Sequence, residues 1–288
     1  MEQSEFNEED QLTELERIEI ERLMLSTAYD NSYRVLTNKV EFEDLLEEKS
    51  ELGTALMAYD PGRGIRKEEL ESFAKYSELD LAQIDVLNVF DTPKFSSDVL
   101  DGYDALYVGG ASEANVLEPQ KYEFVNYCIK LIKYAGDVGL PTFASCFGFQ
   151  LAVLAFDGTI LSKDSDYEMG SIPIRLTNLA EIDPVFKGTS DNFPALSIHR
   201  QYAIELPSNL DLLAYTDQCL HSFKLRNKPL WAFQFHPEVD RATVFKRLAI
   251  YKEAYTSSEE EFQKVLDSLV ETPESHNLML NFVNRVLL

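Results

Sequence analysis

Cys146 closes the short apolar run Pro141-Thr142-Phe143-Ala144-Ser145, Gly148 follows two residues on, and a helix-like segment begins at once. A strand that turns sharply into a helix lifts the residue at the turn clear of the sheet, and small neighbours such as Ala144 and Gly148 let the chain bend there. A helix N-terminus behind a cysteine favours its thiolate and supplies backbone N–H groups with no partner inside the helix, so nucleophile and oxyanion donors can come from the same few residues. Ninety residues later the run Trp231-Ala232-Phe233-Gln234-Phe235-His236-Pro237-Glu238 offers the rest of a triad. In an extended segment His236 and Glu238, two apart, share a face, so the carboxylate can orient an imidazole that serves the sulfur. Cys128 and Cys219 have no such neighbours and are expected to be small buried hydrophobes.

With these residues in place the chain resembles the class I, or triad, glutamine amidotransferases, whose hallmarks are Gly-x-Cys-x-Gly-x-Gln and a later Gln-x-His-Pro-Glu. Cys146-Phe147-Gly148-Phe149-Gln150 and Gln234-Phe235-His236-Pro237-Glu238 stand for them here. The likeness extends to Gly109-Gly110 after Asp104-Ala105-Leu106-Tyr107-Val108, to Glu168-Met169-Gly170, and to His199 in Leu196-Ser197-Ile198-His199-Arg200, and so covers roughly residues 53 to 288. Two positions depart from the family pattern. Ala144 replaces the first glycine of the elbow, a mild change at a tight turn, and Phe149 replaces a histidine and is expected to alter a pocket wall.

The resemblance implies an enzyme in which the Cys146 thiolate attacks the side-chain amide carbon of glutamine or a γ-glutamyl bond. His236 would protonate the leaving nitrogen and later activate water on the γ-glutamyl thioester, with Glu238 fixing the ring. Backbone N–H groups of Phe147 and the Gly109-Gly110 loop would form the oxyanion hole. Gln150 and the stretch Ser197, Ile198, His199 and Arg200 would contact the substrate's α-amino and carboxylate groups. Glu168 and His199 could equally serve only to hold a loop. No cofactor is required.

These residues need a sheet to hold them. Thr54 to Tyr59, Ile84 to Phe90, Ala105 to Val108 and Thr142 to Ser145 read as strands, alternating with helices over Lys67 to Tyr76 and Tyr122 to Tyr134. The expected fold class is therefore α/β, a mainly parallel sheet with helices on both faces and reactive loops at the carboxyl ends of the strands; by resemblance it is flavodoxin-like, of the class I glutamine amidotransferase type. Shorter strands follow at Ile172 to Leu176, Tyr202 to Leu206, Leu212 to Tyr215 and Leu230 to Phe235, the last delivered by a hairpin turning at Asn227-Lys228. Trp231 in that strand is expected to pack in the core. Helices at Arg241 to Tyr255 and beyond a Ser/Glu-rich break form a C-terminal insert, the last with Leu278, Phe282, Val283 and Val286 inward.

Two parts are expected: residues 1–52, an acidic helical N-terminal extension, and 53–288, the amidotransferase-like domain. Residues 1–51 hold 16 acidic against 5 basic side chains, nearly half of the chain's net charge of −24. Leu12, Leu15, Ile18, Ile20, Leu23 and Met24 recur at helical spacing, and Val40, Phe42, Leu45 and Leu46 suggest a second short helix. The extension reads as a packed appendage, with a docking arm as the sharper alternative. Strong net acidity argues against nucleic acid or an anionic membrane as partner. With 45% hydrophobic residues, an odd three cysteines, no basic-then-apolar opening and no long apolar stretch, the expected compartment is the cytoplasm. The turn Asp60-Pro61-Gly62-Arg63-Gly64 lacks a P-loop ending, and His199, His221, His236 and His276 are scattered, so neither a phosphate site nor a metal site is expected.

About fifty residues follow His236, too few for an ATP-using synthetase. The chain thus reads as a stand-alone hydrolase of a small γ-glutamyl substrate, similar to free-standing forms of the amidotransferase part of GMP synthetase. The alternatives are a glutaminase subunit feeding ammonia to a synthetase partner, and a non-catalytic binding protein that kept the fold.

Overall fold

Short β-rich runs bounded by turn residues form the strands. In the computed structural model, which describes residues 52–58, 65–111, 114–165, 167–250 and 258–288, Thr54–Ala58 (β1), Ile84–Asn88 (β2), Ala105–Val108 (β3), Thr142–Ser145 (β4) and Leu230–Phe233 (β11) lie parallel. Successive residues face opposite sides, as strand geometry requires. Met57, Leu106 and Val108 meet one apolar layer, and Leu56, Tyr107 and Phe143 meet the other. All four residues of β3, β4 and β11 are buried, the signature of strands covered on both faces.

Helices supply those covers. On the first face lie Phe124–Val138 (α2), which buries Val125, Cys128, Leu131, Ile132 and Ala135 at helical spacing, and Phe147–Ala155 (α3). On the second lie Ile65–Ser77 (α1), through Phe73 and Ala74, and Pro273–Phe282 (α7), through Leu278, Met279 and Phe282. Each buried phenylalanine is worth about 1.5–3 kcal/mol of transfer free energy. The α/β sheet with helices on both faces is as expected.

Beyond β11 the sheet continues antiparallel through Leu220–Leu225 (β10), Leu210–Tyr215 (β9), Met169–Leu176 (β6) and Phe193–Ile198 (β7), in the order β2-β1-β3-β4-β11-β10-β9-β6-β7. Leu161–Ser162 (β5) pairs separately with Gln201–Tyr202 (β8). The strand expected over Tyr202 to Leu206 is thus only its first residue, because the chain leaves the pairing at Ala203, whose carbonyl takes the Leu220 N–H. Asn178–Ile182 (α4) follows β6, and Arg241–Ile250 (α5) and Glu259–Ser268 (α6) build a third apolar cluster on Leu196 with Val239, Val244, Leu248, Val265 and Leu269. Trp231 is buried and donates its indole N–H to Asp183 at 3.0 Å. The acidic stretch 1–51 with its two expected helices, the turn at 60–64, and residues 251–255 of the helix expected from Arg241 lie outside the described residues. No helix among the described residues is long and apolar enough to cross a membrane.

Candidate active site

Cys146 sits between β4 and α3 at φ +51°, ψ −101°. A non-glycine residue in such a conformation costs roughly 1–3 kcal/mol and persists only where its surroundings hold it. Its N–H donates to the Phe233 carbonyl at 2.7 Å, and its own carbonyl accepts from the Gln150 N–H at 3.2 Å, opening the helix. Gly148 makes the turn feasible: a Cβ there would stand 2.7 Å from the Val108 carbonyl oxygen. Ala144 is fully buried in β4, so one methyl is accommodated at the other side of the elbow. Phe149 is fully buried and packs on Phe223 with ring centroids 5.2 Å apart. It therefore fills the hydrophobic core and does not line a pocket.

His236 reaches the sulfur because β4 and β11 are parallel neighbours, with Ser145 opposite Phe233. The segment after β11 is not extended as expected. Val239 N–H returns to the His236 carbonyl at 3.4 Å around Pro237, and this turn brings Glu238 under the ring, His236 Nδ1 lying 2.7 Å from Glu238 Oε1. Burial acts to lower the imidazole's pKa, but the nearby Cys146 sulfur and the Glu238 carboxylate bonded to the ring outweigh it and raise the value to about 10. Burial pushes the Glu238 carboxyl the other way, and the adjacent imidazolium holds it below its ordinary value.

The glycine pair behaves differently from expectation. Gly109 N–H donates to the Met57 carbonyl at 3.1 Å and so prolongs the β1–β3 pairing instead of facing the sulfur. Gly110 packs against the imidazole, where a Cβ would stand 2.9 Å from His236 Cε1. Phe147 opens α3 beside the sulfur. Of the substrate-contact candidates, Ile198 carries a carbonyl 3.8 Å from Cys146 Sγ, and buried Gln150 donates from Nε2 to the Gln201 carbonyl at 3.4 Å. The Ser197 hydroxyl is buried with no hydrogen-bond partner among the described residues. Arg200 turns outward, its guanidinium over the Tyr167 ring at 4.9 Å.

Glu69 is the residue that spacing did not reveal. It projects from α1, is 3% exposed, and occupies the space a Cβ on Gly109 would need. Burial raises its pKa to about 8, with Arg247 and His236 opposing and Glu238 adding to the rise. Arg247, from α5, is itself held by Glu68 at 2.8 Å. The available signal was Glu69 four residues before Phe73, an acid on the apolar face of its helix.

His199 turns away from the sulfur into a second cluster. Its Nε2 lies 3.2 Å from Glu168 Oε2, which also lies 2.8 Å from His221 Nε2 and 3.1 Å from Cys219 Sγ. Cys219 is therefore a polar partner and not the apolar filler its sequence suggested, whereas Cys128 does pack in the core.

A family model for class-I glutamine amidotransferases matches residues 84–248, more than half of the chain. One subunit of the glutamine-hydrolysing GMP synthase of Methanococcus maripaludis is 36% identical over 101 residues, which are 35% of this chain and 51% of that protein. The GMP synthase of Borrelia garinii subsp. bavariensis is 34% identical over 100 residues, 35% of this chain and 18% of that one. The matched stretch thus spans about half of these relatives' length or less. Among solved structures, a glutamine amidotransferase from Thermotoga maritima superposes with a TM-score of 0.66 at 15% identity, over 82% of this chain and 98% of that one. Another, from Methylobacillus flagellatus, gives 0.63 at 16% identity over 81% and 94%. At such identities the likeness speaks for the fold, and the family model speaks for the lineage: the chain belongs to the class-I glutamine amidotransferase family.

Proposed function

We propose that this chain hydrolyses the side-chain amide of glutamine, or a γ-glutamyl bond, through a thioester on Cys146. The observation behind this reading is the convergence of Cys146, in its strained elbow, with the His236 imidazolium and the Glu238 carboxylate at 2.7 Å. The sulfur attacks the δ-carbon, and His236 gives its proton to the departing nitrogen, which leaves as ammonia or an amine. Water then attacks the thioester, His236 accepts the water's proton, and glutamate leaves as the sulfur is freed. Glu238 keeps the ring oriented and offsets its charge. The Phe147 N–H, at the start of α3 beside Cys146, and the Gly110 N–H are the oxyanion donors in this reading. Gln150 and the Ile198 carbonyl border the space for the glutamyl backbone.

The chain acting alone is the first reading. A second, delivery of ammonia to a synthetase, is favoured by the names of the GMP synthase relatives. Glutamate release from glutamine and from γ-glutamyl amides by the purified full chain tests both. Turnover supports the first reading; covalent labelling by an electrophilic glutamine analogue without turnover supports the second. Neither turnover nor labelling of Cys146 would leave the non-catalytic binding protein.

A further inference from the structure

Behind the nucleophile, Glu168 immediately before β6, His199 immediately after β7, and Cys219 and His221 at the start of β10 turn four buried side chains toward one point. Their donor atoms all lie within 4.8 Å of one another, and Cys219 Sγ is 3.5 Å from His221 Nε2. Cys219 and His221, two apart, share a face as strand geometry dictates.

Hydrogen-bond bookkeeping leaves this cluster short of positive charge. His199 Nδ1 lies 3.0 Å from the Gln201 carbonyl, which can only accept, so Nδ1 carries a proton, while the buried Nε2 has no hydrogen-bond partner among the described residues and stands 3.2 Å from Glu168 Oε2. His221 Nδ1 is buried with no hydrogen-bond partner among the described residues. A buried ring nitrogen without a hydrogen-bond partner, 3.2 Å from a carboxylate oxygen, calls for a proton or a metal ion between them.

We propose that Glu168, His199, Cys219 and His221 form a tetrahedral site for a divalent transition-metal ion of the zinc type. Zinc bonds of about 2.0–2.3 Å place tetrahedral donors roughly 3.3–3.8 Å apart; the 2.8, 3.1, 3.2 and 3.5 Å separations found reach that span at one pair and fall short of it at three, so an ion would spread the donors by up to about 0.5 Å. Two imidazoles, a thiolate and a carboxylate are zinc-type ligands. Outer partners orient them: Thr216 Oγ1 donates to Glu168 Oε1 at 2.7 Å, and the Gln201 carbonyl fixes the His199 tautomer. With four protein ligands the site is closed, hence structural, and binding releases the Cys219 thiol proton to solvent. A small cleft of about 10 Å³, lined by Glu168, His199 and Cys219 together with Tyr167, Arg200 and Tyr202, offers an entry path.

The position gives the ion a purpose. Gln234 N–H bonds the His221 carbonyl at 2.7 Å and His236 N–H bonds the Leu196 carbonyl at 2.8 Å, so the strands carrying the ligands also hold the backbone of His236. A metal joining them would fix that segment and the Ile198 carbonyl beside the sulfur. The scattered histidines of the sequence suggested no metal site, and this proposal reverses that expectation.

The test uses the full chain, stripped with a chelator and dialysed against Zn²⁺ or Co²⁺, with metal per chain read by mass spectrometry. One zinc per chain and a raised Tm are expected, and the Co²⁺ form should show thiolate-to-metal charge transfer with tetrahedral ligand-field bands. Cys219→Ser and His221→Ala should weaken zinc binding by more than about 100-fold. Cys146→Ala should bind as the wild type does, which separates this site from the triad sulfur and makes the result independent of hydrolysis. The spectrum of the wild type stands even where a ligand variant fails to fold. Wild type without stoichiometric zinc, a Co²⁺ form without the thiolate band, or loss of metal in Cys146→Ala would overturn the proposal.

Discussion

Replacing Glu69 by glutamine keeps the side chain's shape and removes the capacity to ionise. The structure fixes the sign of the consequence. Burial is the dominant influence on this carboxyl and moves its pKa from 4.5 to about 8 in the folded chain. A group that binds its proton more tightly folded than unfolded stabilises the fold fully below the unfolded pKa, and that stabilisation is lost as pH rises through the folded value. Each pH unit between the two is worth about 1.4 kcal/mol, so the loss is about 3 kcal/mol at pH 7 and approaches about 5 kcal/mol above pH 8, before relaxation reduces it. Glutamine has no charge to desolvate. Glu69→Gln should therefore match the wild type near pH 4.5 to 5 and exceed it in stability by a margin that widens to pH 8.

Urea unfolding of both proteins at pH 5, 6, 7 and 8 measures this. Trp231 is the single tryptophan and is 2% exposed, so its fluorescence reports loss of the core around β11. A difference that stays flat with pH, or a wild type that gains on the variant as pH rises, would refute a protonated Glu69 and make it a carboxylate paired with Arg247.

Other expectations follow from the same geometry. Cys146→Ala should abolish hydrolysis and labelling, while Cys128→Ala keeps both; an active Cys146→Ala would remove the triad assignment. His236→Ala should cost several orders of magnitude in kcat and Glu238→Gln less, since an amide still orients the ring but does not offset its charge; a harmless Glu238→Gln would mean the pair is merely structural. Gly110→Ala places a methyl 2.9 Å from His236 Cε1 and should lower kcat by about 10- to 100-fold with Tm nearly unchanged. Gly148→Ala, pressed 2.7 Å from the Val108 carbonyl, should destabilise by about 1–3 kcal/mol in urea melts. If residues 1–51 act by their charge on a basic partner, removing them should abolish a salt-sensitive association and leave glutamate release by the remaining chain intact.

The parallel half of the sheet was legible because its physics is local. Burial on both faces demands unbroken apolar runs, and Ala105 to Val108 and Thr142 to Ser145 coincide with β3 and β4 to the residue. The elbow was legible for a related reason, since a strand-to-helix turn with a residue at φ +51° tolerates little beside it but small side chains. The antiparallel half was harder. β7 contains Pro194, opposite Pro173 of β6, and proline in a run weakens any strand signal; it is tolerated because β7 is the sheet edge. The turn at Pro237 also hid how His236 and Glu238 meet, since an extended segment and a turn both bring them together.

What no spacing could disclose is anything assembled across strands from distant positions. Glu69 reads as one of several acids on a helix until β3 delivers Gly109 and Gly110 onto it, and only then does its burial beside Glu238 and His236 make it a weak acid at the site. Glu168, His199, Cys219 and His221 are scattered because they come from the ends of three different strands, and their meeting depends on the Gln234–His236 run bonding β10 at one side and β7 at the other. The same two bonds that place the imidazole beside Cys146 thus bring the second cluster together. Mutations in that cluster should then move the triad's geometry without touching substrate, so Thr216→Val, which strips Glu168 of a 2.7 Å bond, should lower kcat more than it raises KM. A change confined to KM would place the cluster against the substrate instead, and an unchanged kcat would uncouple it from the triad.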